Sequence, residues 1–181
     1  LSLSQTCSNI YKNEYIDEKL SLVSQLAKKF DFSDHEIEKL KVACVLHNIG
    51  SLLVPEQILI KPGPLTKDER KQVLEHPILA AKEILRPIKS TGFIINIIEH
   101  HHEHWDGTGY PERLKGEEIP LSARIVSVAD AFHALISDRP YRKGLSVQKA
   151  CEILNMGAGI QWDSNLVRQF IQIAPSLSTK V

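Results

Sequence analysis

The 181-residue chain has few cysteines, no excess of charge of either sign and no long apolar run. Its three cysteines, Cys7, Cys44 and Cys151, form no CxxC pair, which favours free thiols in a reducing compartment over disulfides or a thiolate zinc site. Lysine plus arginine number 22 and aspartate plus glutamate also number 22, so nothing indicates binding to a nucleic acid polymer or an anionic membrane. No stretch approaches the roughly 18 apolar residues of a membrane span. We therefore expect a cytoplasmic protein.

Strand periodicity and internal repeats are also missing, and most of the sequence has the periodicity of helices. Apolar residues recur at helical spacing over residues 16–30. The pairs Ser33 with Glu36 and Thr66 with Glu69 have the form of capping boxes and predict the starts of two further helices. The remaining predicted helices cover about 76–86, 90–102, 121–137, 146–156 and 163–173.

Two segments rich in proline and glycine interrupt this pattern. Residues 51–64 hold three prolines, and residues 103–120 hold three glycines and two prolines, so both are expected to be loops. The second is long, a feature that is often functional. We predict an all-α, single-domain bundle of about seven helices over residues 15–175, with residues 1–14 as a leader or linker from a preceding region.

The eight histidines are the most informative feature of the composition. His47 continues the apolar stripe of its helix, and His101 and His102 continue the stripe of theirs. Taken alone, each histidine is more often a surface residue or a satisfied core residue than a ligand. A neutral imidazole in a buried stripe needs partners for both ring nitrogens, however, and a shared divalent metal meets part of that requirement.

Asp130 adds an acid to the apolar run 125–129, where burial is costly unless a cation or donor lies nearby. His76 lies at a helix start beside the same expected core. Residues from four helical segments are therefore expected to converge: His47, His76, His101, His102 and Asp130. Nitrogen and carboxylate ligands without thiolate suit iron, manganese, zinc or nickel. The other histidines considered are expected to be solvated or satisfied residues: His35, His100 and His104.

The sequence strings around these positions form a long pattern. The chain has HNIG at residues 47–50, HHEHWDGTGYP at 101–111, Asp130, and RPYR at 139–142. Over residues 15–172 this pattern resembles the HD-GYP branch of the HD-domain phosphohydrolases. The resemblance implies a helical bundle. In active members it implies hydrolysis of cyclic di-GMP to pGpG and GMP with two or three metal ions, commonly iron or manganese.

The resemblance also implies roles for individual residues. His76, His101 and His102 match the three-histidine side of the family's metal cluster, and His47 and Asp130 match the other side. The positions expected to carry catalysis are His47, Asn48 and Asp130.

Substrate contacts are implied in the same way. Arg139 and Arg142 match basic positions that contact the phosphates of the dinucleotide. Tyr110 centres the Gly-Tyr-Pro loop, which borders the site and has been linked to contacts with GGDEF-type diguanylate cyclase domains. Family members usually follow receiver or sensor modules in the bacterial cytoplasm, so such domains are expected partners.

Several positions depart from the family pattern. Asn48 replaces the aspartate that bridges two metals, and a neutral amide cannot bridge in the same way. Ser51 replaces a lysine, and Tyr15 and Tyr11 replace a histidine and a glutamate of the early helix. His133 stands where the family usually has aspartate; it either replaces a lost ligand or hydrogen-bonds to Asp130, one helical turn away.

Four of these replacements have the same effect, because each removes a charge or a ligand from one half of the metal cluster. Two cations held close together without a bridging anion repel strongly. We therefore expect the first metal position to be empty or weakly filled, with a single iron or manganese ion at His76, His101 and His102. Two main functions follow: a degenerate HD-GYP domain that senses a nucleotide or binds a partner, or an active cyclic di-GMP phosphodiesterase. A hydrolase of another phosphoester is a third.

Overall fold

The computed structural model describes residues 16–138 and 143–175 of the chain. Its helices are α1 (Ile16–Lys28), α2 (Asp34–Leu46), α3 (Glu56–Leu59), α4 (Lys67–Leu74), α5 (His76–Leu79), α6 (Gly92–His100), α7 (Leu121–Ile136), α8 (Val147–Met156) and α9 (Ser164–Ile173). Two 3₁₀ turns, Ile49–Leu53 and Gly116–Glu118, and one π-helical segment, Ala80–Leu85, complete the elements. Within these two ranges no strand forms, so the predicted all-α class is confirmed. Predicted features outside the described residues are the leader 1–14, Tyr11, Tyr15, Arg139 and Arg142.

The helix starts follow the side-chain caps that the sequence predicts. The Ser33 hydroxyl accepts the N–H of Glu36, and the Glu36 carboxylate accepts the N–H of Ser33 at 2.9 Å. Thr66 and Glu69 form the same reciprocal pair at the start of α4. Asp163 caps α9 by accepting two backbone N–H groups. Each cap satisfies N–H groups that have no partner within the helix.

The segment 51–64, predicted to be a loop, is more regular than expected. It contains most of the 3₁₀ turn Ile49–Leu53 and the single helical turn α3. Pro55 is the residue directly before α3, where a missing N–H breaks no helical hydrogen bond. The expectation of a loop without regular structure is therefore wrong for residues 56–59, because Pro55 precedes a helical turn.

Helix α7 lies at the centre of the core. It packs against α1, α2, α6, α8 and α9. Its residues Ile125, Val128 and Phe132 are fully buried, and the ring of Phe132 meets that of Phe170 edge-on at 5.1 Å between centroids. Burial of each such side chain contributes about 1.5–3 kcal/mol. Because Asp130 lies on this helix, the packing of α7 brings a carboxylate to the middle of the bundle.

Helix α7 is also the longest helix in the described residues, with 16 residues. None of the helices in that part of the chain combines the length and the apolar character needed to cross a bilayer.

Candidate metal centre

Three histidines, one from α5 and two from the turn that ends α6, have their ligand atoms close together. The ligand atoms of His76, His101 and His102 all lie within 4.8 Å of one another. The ring centroids of His101 and His102 are 3.9 Å apart, and that of His76 is 5.6 and 5.2 Å from them. His76 and His101 are buried and His102 is half-buried. These three residues therefore form a group that could hold one metal ion.

The hydrogen bonds of His76 and His101 fix which ring nitrogen is available. The Nδ1 atom of His76 lies 2.8 Å from the Val73 carbonyl oxygen, and that of His101 lies 2.7 Å from the Ile98 carbonyl oxygen. Nδ1 therefore carries the proton and donates it, which leaves Nε2 as an acceptor. Both Nε2 atoms are buried, and neither has a hydrogen-bond partner among the described residues.

A buried acceptor without a partner costs about 1–3 kcal/mol. A metal ion satisfies such an atom while the other ring nitrogen stays bonded to a carbonyl. The donor set of His76, His101 and His102 therefore fits a divalent metal.

The electrostatic setting keeps these rings uncharged. Burial lowers the pKa of His76, and burial and the neighbouring His102 lower the pKa of His101 well below its ordinary value. Burial, followed by the neighbouring His76, lowers the pKa of His102 to about 3. The neutral imidazole ring is the form that binds a metal, so the three histidines can bind one at neutral pH.

The other half of the predicted cluster lies against this triad. The His47 and His101 ring centroids are 5.2 Å apart, and His47 Nε2 lies 3.0 Å from Asp130 Oδ1. His47 Nδ1 faces the Cys44 carbonyl oxygen at 2.8 Å. The structure thus brings together all the residues that were expected to converge, although they come from separate helical segments.

Lys19 lies in the same half of the cluster, beside Asp130, and was not among the site residues predicted from the sequence. Its Nζ donates to Asp130 Oδ1 at 2.7 Å, and the residue is only 8% exposed. Lysine is rarely buried to this extent unless it is paired. A signal was available, because Lys19 precedes the buried Leu22 and Val23 by three and four residues and therefore lies on the inner stripe of α1.

Asp130 stays ionised in this setting. Burial raises the pKa of its carboxyl group, but His47 and Lys19 outweigh burial and hold the pKa well below its usual range. The Asn48 amide lies beside them, with Nδ2 2.9 Å from His47 Nε2. Asn48 therefore lies against the same His47 nitrogen that faces Asp130. This half of the cluster therefore already has donors from the protein.

Two glycines allow the backbone to close around the histidines. A Cβ atom on Gly50 would overlap the carbonyl oxygen of His76, so only glycine lets the HNIG segment lie against α5. A Cβ atom on Gly109 would overlap the backbone of Glu103 and His104. These two close approaches position the HNIG segment and the Gly-Tyr-Pro loop beside the triad.

Glu103 organises the Gly-Tyr-Pro loop, a role that the sequence analysis did not assign. Its carboxylate is buried and accepts the backbone N–H groups of residues 112, 113 and 114 at 2.7, 3.0 and 3.1 Å. The ring of Tyr110 stacks on His102, with centroids 4.9 Å apart and planes 21° apart. Burial raises the pKa of Tyr110 to about 12, so its hydroxyl stays protonated. The ring of Tyr110 therefore borders the histidine triad on the side of His102.

The other histidines have different surroundings. His35 is exposed, and His104 Nδ1 lies 3.1 Å from the Thr108 hydroxyl. His100 is buried, with Nδ1 2.7 Å from the Asn96 carbonyl oxygen. The ring nitrogens of His133 lie 3.4 and 3.5 Å from the hydroxyl of Ser137. The metal-ligand group found among the described residues includes none of these histidines.

Comparison with known proteins places the chain in one family. The family model described as "HD domain" matches residues 3–166. A cyclic di-GMP phosphodiesterase of Vibrio cholerae is 39% identical over 143 residues, which are 76% of this chain and 29% of the relative. A cyclic di-GMP phosphodiesterase response regulator of Xanthomonas campestris is 38% identical over 153 residues, 83% of this chain and 40% of the relative.

Solved structures give the same fold. A crystal structure of a cyclic GMP-AMP-specific phosphodiesterase of V. cholerae matches with a TM-score of 0.70 and covers 92% of this chain and 44% of that one. At 18% identity, this likeness concerns the fold alone. The chain belongs to the HD-domain family, and within it to the HD-GYP branch. It spans 29% and 40% of the lengths of the two relatives named above.

Proposed function

We propose that this chain is a degenerate HD-GYP domain of bacterial cyclic di-GMP signalling, impaired in phosphodiesterase activity. It acts in the cytoplasm as a nucleotide-sensing or partner-binding module. The observation that supports this function is the His47–Asp130 half of the centre. There Asn48 replaces the bridging aspartate, and Asp130, the carboxylate of that half within the described ranges, is already paired with Lys19. Cyclic di-GMP is the proposed ligand because relatives in this branch are named for its hydrolysis.

In this proposal His76, His101 and His102 hold one divalent ion, iron or manganese. When bound, such an ion polarises a phosphoryl oxygen and lowers the pKa of a water. The backbone carbonyls that accept from Nδ1 of His76 and His101 keep the two Nε2 atoms aimed at the ion. Tyr110 borders the ligand through its ring.

Arg139 and Arg142 are proposed to bind the phosphates of the dinucleotide. A guanidinium group matches the geometry of a phosphate through paired N–H donors. Both arginines lie outside the described residues, so this role rests on the match to the family pattern.

The reason for weak catalysis is electrostatic. Two divalent ions about 4 Å apart repel by roughly 16 kcal/mol at an effective dielectric near 20, before anionic ligands offset that repulsion. An aspartate at position 48 would bridge the ions with two anionic oxygens, whereas Asn48 offers one neutral oxygen. Asp130 is left as the carboxylate of this half, and Lys19 already neutralises it. We therefore propose that one ion binds and that turnover is slow.

An active cyclic di-GMP phosphodiesterase is the second candidate. The intact triad favours it, because two buried Nε2 atoms await a partner. Binding and turnover of the nucleotide, measured separately, distinguish the two functions. The protein is prepared anaerobically with Fe(II) or Mn(II), and cyclic di-GMP binding is measured by calorimetry while product formation is followed by chromatography.

The regulatory function predicts saturable binding with turnover far below the rate of about 1 per second that is common among enzymes. Turnover at that rate or above would show that the second candidate is correct. 3′3′-cGAMP serves as a competing ligand, because one relative is named a 3′3′-cGAMP-specific phosphodiesterase. A titration of GGDEF-type and receiver domains, with a Tyr110→Ala variant for comparison, tests the proposed partners.

A further inference from the structure

We propose that the ammonium group of Lys19 takes the place of a metal ion on Asp130, beside His47, so that this half of the centre stays closed to a second divalent ion. The inference rests on the proposed function for the role of the His76–His101–His102 triad. It goes further by assigning a specific side chain to the cation position next to that triad.

One oxygen of Asp130 is contacted by both His47 and Lys19. His47 Nε2 and Asp130 Oδ1 are 3.0 Å apart, and His47 Nδ1 is engaged with a backbone carbonyl. Two ligand atoms that each lie about 2.0–2.2 Å from one metal are separated by roughly 2.8–3.6 Å, for angles at the metal between about 90° and 109°. Lys19 Nζ lies 2.7 Å from the same Oδ1 atom, so the protein itself supplies a cation at this carboxylate.

The packing of Lys19 holds its charge in that place. Its side chain leaves α1 between buried core residues, since Leu22 is 2% exposed and Val23 fully buried. The residue itself is 8% exposed, so water reaches the ammonium group poorly. A metal that took over Asp130 Oδ1 would leave this ammonium buried without its carboxylate, which is strongly unfavourable. The metal and the ammonium would also repel each other at close range.

Lys19 and Asn48 make this half of the centre complete without a metal. The Lys19 ammonium cancels the Asp130 carboxylate, and the Asn48 amide adds no charge. Changing Asn48 to aspartate restores a bridging anion but leaves the ammonium in place. Changing Lys19 to methionine removes the ammonium and keeps a side chain of similar length. The inference therefore predicts that both changes are needed before a second ion binds well.

The test counts ions per chain by elemental analysis after saturation with Mn(II) and removal of excess metal. The proteins are the unmodified chain, Asn48→Asp, Lys19→Met, the double variant and Lys28→Met. Lys28 is an exposed lysine on the same helix and serves as the matched control. We expect about one ion per chain in the unmodified chain, Asn48→Asp and Lys28→Met, and at least half an ion more in the double variant than in Asn48→Asp. A second ion bound as fully by Asn48→Asp as by the double variant overturns the inference.

A measurement on the unmodified chain covers the case in which the double variant does not fold. Electron paramagnetic resonance of the Mn(II)-saturated protein distinguishes isolated ions from a coupled pair. Signals of isolated ions support the inference, and a coupled pair in the unmodified chain overturns it. Failure of the triad to bind any ion would instead contradict the proposed function. The comparison of Asn48→Asp with the double variant would still test Lys19 in that case.

Discussion

Removal of the Lys19 charge tests how much the buried ion pair contributes to folding. Breaking a fully buried pair costs about 3–5 kcal/mol, because one charge is left without a partner. Asp130 keeps His47 as a second partner, and its side chain is 29% exposed, so the loss is smaller here. A hydrogen bond to a charged group contributes about 1.5–3 kcal/mol. We expect Lys19→Met to lower the free energy of unfolding by about 2 kcal/mol.

The assay is urea unfolding of the metal-free protein in the presence of a chelator. For a domain of this size, about 2 kcal/mol corresponds to a decrease of roughly 4–8 °C in Tm. Lys28→Met provides the control and should change the free energy of unfolding by less than about 0.5 kcal/mol. A double-mutant cycle with Asp130→Asn should give a coupling energy of about 1.5 kcal/mol or more. A loss for Lys19→Met no larger than that for Lys28→Met would refute the reasoning.

Three further predictions follow from the structure. His101→Ala removes a buried Nε2 ligand and should lower Mn(II) affinity at least about tenfold by equilibrium dialysis; a variant that keeps all its metal would contradict the triad. Burial raises the pKa of Cys44 to about 11 from its ordinary 9.0, so the thiol holds its proton more tightly and less thiolate is present. Alkylation at pH 8, followed by mass spectrometry, should therefore be at least about a hundredfold slower than for an unperturbed thiol, and equal rates would contradict the burial. Gly50→Ala should lower the free energy of unfolding by about 2 kcal/mol or more, because the new Cβ meets a backbone carbonyl of α5. Gly92→Ala is its control, with nothing within 4 Å of the added Cβ atom, and equal losses for the two variants would count against the close approach.

Much of the fold could be predicted from the sequence, because its helices carry local signals. The caps at Ser33, Thr66 and Asp163 fix helix starts through hydrogen bonds within a few residues, and such signals are readable without tertiary information. Helix α3 was not predicted, because its local signal is ambiguous. A proline can precede a helix as readily as it can end one, and Pro55 precedes α3. The structure that a proline indicates depends on the position of the proline relative to the helical turn.

Some residues of the candidate site could likewise be predicted from the sequence, and others could not. The histidines and Asp130 stood out because polar residues interrupt apolar stripes, and the resemblance to a family grouped them. Lys19 escaped notice because its partner lies 111 residues away in sequence, and a lysine on an amphipathic helix is usually interpreted as solvated. The role of Glu103 was also hidden, because its partners are backbone N–H groups of a loop with no periodic pattern.

The number of metal ions in the unmodified protein tests the central claim most directly. Crystals saturated with Mn(II) and measured at the manganese absorption edge would locate each ion by anomalous scattering. The claim predicts one peak beside His76, His101 and His102, with Lys19 still on Asp130. A second peak of equal height between His47 and Asp130, with Lys19 displaced, would contradict it.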